Sequence, residues 1–243
     1  MTVKAKIRLF VDAPLGVGQS LSLPREQAHY ITGVMRQKTG AFIAVFNGRD
    51  GEWQAELIEA GKRRAVLVCQ TRSKTQTTPP DLWLYFAPIK KVRTDFIVEK
   101  AAELGVARIC PVQTDFTNSE RIRQDRLQAH AVEAAEQCGE VFVAPVEDLQ
   151  KLDTVLANWP ADRRLLFCDE TLVGAATAGL TGGKGEKWAI LIGPEGGFSD
   201  KEIERLRGMT ATRPISLGPR VLRADTAAVA AITLWQNALG DWR

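Results

Sequence analysis

The chain has 243 residues, 45% of them hydrophobic and 25% charged, and a formal net charge of +3; this favours one or two globular domains and excludes a disordered or fibrous chain. No apolar run approaches the roughly 20 residues that span a bilayer, and the charged first eight residues lead into no hydrophobic signal segment, so a cytoplasmic address is expected. Cys69, Cys110, Cys138 and Cys168 are widely spaced without a C-x-x-C pair, which argues against a zinc knuckle or a disulfide framework; they read as reduced fillers of apolar positions, and no metal is expected.

From the N-terminus, short strand-like segments at 7–11, 41–46, 53–58 and 64–70 alternate with turns such as Asn47-Gly48 and Ala60-Gly61. One helix, at about 25–36, interrupts them, and strands this closely spaced suggest a small β-barrel. Residues 71–81 hold no hydrophobic side chain and end in Pro79-Pro80-Asp81, so the chain divides there into domains 1–75 and 76–243. Beyond the cut, strand and helix alternate: strand 82–87 and helix 93–104, strand 107–111 and helix 121–138, strand 164–168, strand 189–192 and helix 199–207, strand 214–217 and helix 226–239. That order predicts an α/β domain with a mostly parallel sheet, and there is no internal repeat. Residues 1–75 hold 12 Lys and Arg against 6 Asp and Glu, while 76–243 hold 20 against 23. A basic small domain joined to a slightly acidic larger one fits a nucleic-acid-holding module attached to a working domain, although Lys62-Arg63-Arg64 also reads as a solvated turn.

Two turns near the C-terminus carry the strongest chemical signal. Leu191-Ile192-Gly193-Pro194-Glu195-Gly196-Gly197-Phe198-Ser199 places a Pro-stiffened, Gly-relieved bend between an apolar strand and a helix, and Leu217-Gly218-Pro219-Arg220-Val221-Leu222-Arg223 does the same farther on. Pro fixes φ while Gly lets a ligand approach the backbone closely, so the pair predicts a pocket walled by peptide groups. Ser199-Asp200-Lys201-Glu202 matches a capping box, which would aim the free amides of the following helix at the first turn. The last helix is apolar on nearly every side (Ala227, Ala228, Val229, Ala231, Ile232, Leu234, Trp235, Leu239) and is expected to lie between the sheet and something else, with a second subunit as one candidate.

Common cofactor motifs are missing. Gly16-Val17-Gly18 lacks the third glycine of a dinucleotide fingerprint, and Leu21 stands in its place. Gly183-Lys184-Gly185 lacks the Ser or Thr of a phosphate loop, so 179–185 reads as a flexible connector. His29 and His130, far from both turns, read as surface or packing residues.

With these residues in view, the chain resembles the RsmE family, bacterial 16S ribosomal RNA uridine N3-methyltransferases of the SPOUT superfamily. The two late turns, followed by Asp225-Thr226-Ala227, resemble its paired signatures; Lys100-Ala101-Ala102-Glu103-Leu104-Gly105-Val106 and Glu133-Ala134-Ala135-Glu136-Gln137-Cys138-Gly139 resemble its upstream segments, and 29–48 its N-terminal barrel. The resemblance implies an N-terminal PUA-like small β-barrel and a C-terminal SPOUT-type α/β domain with a trefoil knot, an exception to the unknotted-chain rule. It implies S-adenosylmethionine as cofactor, held by Phe167, Ile192, Gly193, Pro194, Gly196, Gly197, Leu217, Gly218 and Leu222, with 167–170 as the third wall. For catalysis it points to Arg223 and Arg220 for holding the anionic base or a flanking phosphate, and to Asp225 or Glu195 as proton acceptor; Asp225 also reads as a cap of the last helix. RNA contact falls to Arg8, Arg36, Lys38, Lys100 and Arg220, with Lys62, Arg63 and Arg64 as weaker candidates.

The implied partners are 16S rRNA within the small ribosomal subunit and a second copy of the chain. Two departures stand out: Asp225 where Glu is usual, and Glu140 where Arg usually follows the Gln-x-Gly segment. Alternatives are a SPOUT enzyme acting on a ribose or a tRNA base, or a noncatalytic ribosome-assembly factor.

Overall fold

The computed structural model describes residues 5–61, 63–118, 121–174, 180–183 and 185–242. Lys62 of the basic turn, and Gly179 and Lys184 of the expected connector, lie outside them. The chain forms two compact units, Met1–Thr78 with Ala135–Val143, and Pro79–Ala134 with Ala144–Arg243.

The first unit is built on a five-stranded sheet. Its strands are β1 (Arg8–Phe10), β2 (Ser20–Leu23), β3 (Phe42–Phe46), β4 (Glu52–Ala60) and β5 (Ala65–Lys74), in the order β1-β3-β4-β5-β2. β1 runs parallel to β3, and the remaining pairs are antiparallel. The β4–β5 ladder shifts register at three places, and such irregularities bend long strands around a core. That core includes Leu9, Leu21, Leu23, Ile43, Val45, Leu57 and Leu67, with Ala28 and Ile31 from the helical segment.

Three expectations need correction here. β5 runs on through Lys74, because Thr71, Arg72 and Lys74 pair with Gln54, Trp53 and Glu52 although they carry no apolar signal. β2 was not expected at all, its Ser-Leu-Ser-Leu alternation being only four residues long. The helix is α1 (Arg25–His29) continued by a π-wound turn over Tyr30–Val34, and Arg36 beyond it has φ +52°.

The second unit is a six-stranded parallel sheet with strand order β11-β9-β10-β6-β7-β8. Its elements are β6 (Leu82–Phe86), α2 (Lys91–Glu103), β7 (Arg108–Gln113), α3 (Gln124–Cys138), β8 (Gln150–Lys151), α4 (Leu152–Ala157), β9 (Arg163–Cys168), β10 (Lys187–Ile192), α5 (Asp200–Gly208), β11 (Thr212–Ile215) and α6 (Ala224–Leu239). Both faces of the central strands are buried, as a parallel sheet requires. Tyr85, Val112, Leu165, Phe167, Ala189 and Leu191 pack under Leu152 and Leu156 of α4 and Leu206 of α5.

β8 and α4 are the elements missed by the sequence pattern, one two residues long and the other six. α6 buries Ala227, Ala228, Ala231, Ile232, Trp235 and Leu239 and leaves Leu234 exposed, so its apolar character is more one-sided than its composition suggests. Because all six strands run the same way, the connections after β6, β7, β9, β10 and β11 leave from one edge of the sheet, where open α/β sheets hold ligands.

Candidate functional site

Three of those connections wall one cleft enclosing about 630 Å³, mouth included. Cys168, Asp169, Glu170 and Val173 after β9 form one wall. Ile192, Gly193, Pro194, Glu195 and Gly197 after β10 form the second. Ile215, Leu217, Arg220, Val221 and Leu222 after β11 form the third, with Ala224 and Ala227 of α6 closing the space.

Local chemistry explains why the second wall folds this way. A Cβ on Gly193 would lie 2.6 Å from the Phe198 ring, and that ring is itself packed edge-on against Phe167 at 5.2 Å between centroids. Gly197 has φ +71°, closes the turn by donating to the Pro194 carbonyl at 3.0 Å, and would clash with the Glu170 carboxylate if it bore a side chain. The Phe198 N–H donates to Glu170 Oε1 at 3.2 Å, which ties the second wall to the first. The expected capping box is present: Glu202 N–H donates to Ser199 Oγ and Ser199 N–H to Glu202 Oε2.

The first wall is anchored by a buried charge. The Asp169 side chain has no exposed surface; it accepts from the amide and hydroxyl of Thr171 at 3.0 and 2.7 Å and pairs with Arg207, whose Nε and Nη2 lie 2.9 and 2.5 Å from Oδ2. Beside it, burial pushes the Cys168 thiol far above its usual range and the Glu170 carboxylate adds to the effect, so the cleft holds a neutral thiol and no thiolate nucleophile. The third wall is held more lightly. Gly218, at φ +112°, donates to Ser216 Oγ at 3.2 Å and accepts from Gly174 N–H at 3.2 Å, while Val221 is 75% exposed.

The structure thus brings Ile192, Gly193, Pro194, Gly197, Leu217 and Leu222 together with Glu195 and Arg220 around one cleft. Gly196 and Gly218 belong to the turns without lining it. Phe167 does not reach it: the ring is fully buried behind Phe198, and the residues after it form the wall. Arg223 occupies the N-cap position of α6 without a capping side-chain bond and is exposed. Asp225 is not the cap; it sits in the first turn, accepts from Thr226 N–H at 2.8 Å and faces Arg93 at 3.7 Å.

Arg8 is taken up elsewhere. Its guanidinium meets Glu52 at 2.7 Å, donates to the carbonyls of Ala135, Glu136 and Glu140, and stacks on Phe46, so most of its donors are engaged within the protein. Arg36 and Lys38 are exposed without an ion pair among the described residues; Arg63 is exposed, and Arg64 pairs with Glu59 at 3.5 Å. Lys100, on α2, pairs with Glu103 at 2.6 Å. Sequence reasoning missed Val173, Arg207 and the role of Glu170. For Glu170 the signal was the polar Asp169-Glu170 pair directly after an apolar strand, whereas Arg207 offers none, being 38 residues from its partner.

With this geometry established, comparison with known proteins is decisive. Residues 76–236, more than half of the chain, match the RNA methyltransferase domain. The chain belongs to the RNA methyltransferase family. Residues 23–69 of this RNA methyltransferase further match the RNA methyltransferase PUA domain. A curated relative, "Ribosomal RNA small subunit methyltransferase E" of Rickettsia conorii, is 28% identical over 232 residues, covering 93% of each chain.

Among solved structures, the ribosomal RNA small subunit methyltransferase E of Neisseria gonorrhoeae bound to S-adenosyl methionine superposes with a TM-score of 0.85 at 26% identity, covering 98% of this chain and 99% of that one. A putative methyltransferase of Legionella pneumophila, also with bound cofactor, gives 0.87 at 29% identity, covering 98% and 100%. The resemblance drawn from the two turns is borne out, as is an α/β domain of SPOUT type preceded by a PUA-like unit. Among the described residues no helix is long and apolar enough to cross a membrane.

Proposed function

We propose that this methyltransferase uses S-adenosylmethionine to methylate N3 of a uridine in 16S ribosomal RNA of the small subunit, in the cytoplasm and as a homodimer. In this reading residues 1–75 hold RNA, 76–243 perform the transfer, and the SPOUT trefoil knot shapes the cleft. The observation that carries it is the cleft of peptide walls, in a chain that matches a donor-bound relative over almost its whole length.

The residues present suit the donor. Gly193, Pro194, Leu217 and their neighbours Gly196 and Gly218 offer main-chain groups, Ile192, Ile215 and Leu222 offer apolar surface, and the Glu170 and Glu195 carboxylates offer negative charge to a cationic molecule. When bound, S-adenosylmethionine supplies an electrophilic methyl group on a positively charged sulfur. Uracil N3 carries a proton at neutral pH, so the protein must accept that proton and balance the negative charge that develops on the base.

Glu195 is the better placed acceptor. It lines the cleft, is exposed, and makes no ion pair or side-chain hydrogen bond among the described residues, whereas Asp225 lies off the lining with its carboxylate engaged by Thr226 and Arg93. Arg220, at the rim, is positioned to balance charge on the base, and Arg223 to hold the base or a flanking phosphate. The homodimer is supported by the exposed Val92 and Phe96, one helical turn apart on α2, and by Leu234 on α6.

The test begins with calorimetry, where S-adenosylmethionine should bind the wild-type protein. Transfer to small-subunit particles from a strain lacking this enzyme, read by mass spectrometry of nuclease digests, should place the methyl group on uridine N3. Arg223→Ala should lose transfer and keep donor binding; unchanged turnover would remove Arg223 from the reaction. A monomer in sedimentation at working concentration would overturn the dimer.

A further inference from the structure

Phe116 is 48% exposed, an unusual position for a ring that normally contributes to a core. It stands on a turn that gives it little freedom. After β7, Thr117 N–H donates to the Thr114 carbonyl at 3.1 Å, Thr114 N–H donates to Thr117 Oγ1 at 2.9 Å, and the two hydroxyls lie 2.8 Å apart. The adjoining Asp115 is fixed from both ends of its own residue: its N–H donates to Glu202 Oε1 at 2.9 Å and its carboxylate accepts from Ser199 Oγ at 2.6 Å. The capping box that ends the second cleft wall therefore also locks the turn carrying Phe116. A Cβ on Gly196, between the cleft-lining Glu195 and Gly197, would lie 3.3 Å from Phe116 Cβ.

We propose that Phe116 is a substrate-positioning residue, a stacking platform for an unstacked RNA base presented beside the cofactor cleft; this rests on the methyltransferase reading above. A base must leave its stack before its N3 can meet a methyl group, and an aromatic face at the mouth of the site stabilises the extruded state whatever the sequence. Charge on the same edge of the sheet favours RNA over a protein partner. A groove lined by Pro88, Ile89, Lys91, Asp95, Arg121, Arg123 and Arg126 lies where β6 gives way to α2 and where α3 begins; Arg126 pairs with Asp95, and the remaining cations on this edge of the sheet suit a phosphate backbone.

The experiment compares wild type with Phe116→Ala, Phe116→Leu and Phe116→Tyr on small-subunit particles at saturating S-adenosylmethionine. The alanine variant should raise KM for particles about 5- to 100-fold, the range expected for one lost base stack, with kcat changed much less and donor binding by calorimetry unchanged. Tyrosine should restore KM, and leucine, apolar but without a π face, should not. Restoration by leucine, KM values within about twofold of wild type, or a KM rise accompanied by loss of the dimer in sedimentation would overturn the proposal. Wild-type protein that binds the donor yet methylates no small-subunit RNA would overturn the parent reading, and this one with it.

Discussion

The two proline-and-glycine turns look equivalent in sequence and are built differently. The turn after β10 is pinned at both glycines and at its end: Gly193 lies against Phe198, Gly197 over Glu170, and Ser199 begins the capping box that also grips Asp115. The turn after β11 leaves Arg220, Val221 and Arg223 exposed and begins its helix with no side-chain cap. One wall is thus preformed and the other adjustable, and the adjustable wall carries the cations. A rigid wall suits a donor that binds the same way each turnover, while a looser cationic wall suits a macromolecular substrate that must enter and leave.

Three substitutions test this contrast. Arg207→Ala should have the largest effect, since it leaves the Asp169 carboxylate buried without its counter-charge. The loss should be about 3 kcal/mol, at the low end for broken buried pairs because Arg207 is half-exposed, and it should be measurable by scanning calorimetry with a parallel fall in donor affinity. An unchanged melting temperature would mean that Asp169 is satisfied without Arg207.

Gly193→Ala should follow, at about 1–3 kcal/mol, because the new methyl must displace a buried ring. Adding Phe198→Leu should recover part of that stability; if it does not, crowding by Phe198 is not the cause. Gly218→Ala should be mildest, about 1 kcal/mol, since a Cβ there meets nothing within 4 Å and only the left-handed backbone is strained. Should Gly218→Ala weaken donor binding as much as Gly193→Ala does, the two walls would be equally rigid and the contrast would fail.

Much of this arrangement was legible in the sequence because its signals are local. Ser199 and Glu202 are three residues apart and form the capping box their spacing announces, and the alternation of strands and helices after residue 81 reports the parallel sheet. What escaped is non-local. Asp169 with Arg207, Glu170 with Phe198, and Phe116 with Gly196 meet only once the strands are ordered, and strand order is not written in hydrophobic period. The misreadings follow the same line. Thr71–Lys74 looked like linker because a strand edge can be wholly polar when its ladder partner, here β4, supplies the pairing. Likewise, nothing near Arg8 in the sequence announces the carbonyls it bonds, which lie more than 120 residues away.

The position of β6 at the centre of its sheet has a consequence for synthesis. Leu82–Phe86 pairs on one side with β7, a short distance along the chain, and on the other with β10, whose last residue is Ile192. A chain leaving the ribosome N-terminus first has every strand of the five-stranded sheet in hand by Lys74, while one apolar flank of β6 must wait for more than a hundred further residues to emerge. During that interval the nascent protein carries an open β edge, the surface on which misassociation begins and on which a chaperone would act.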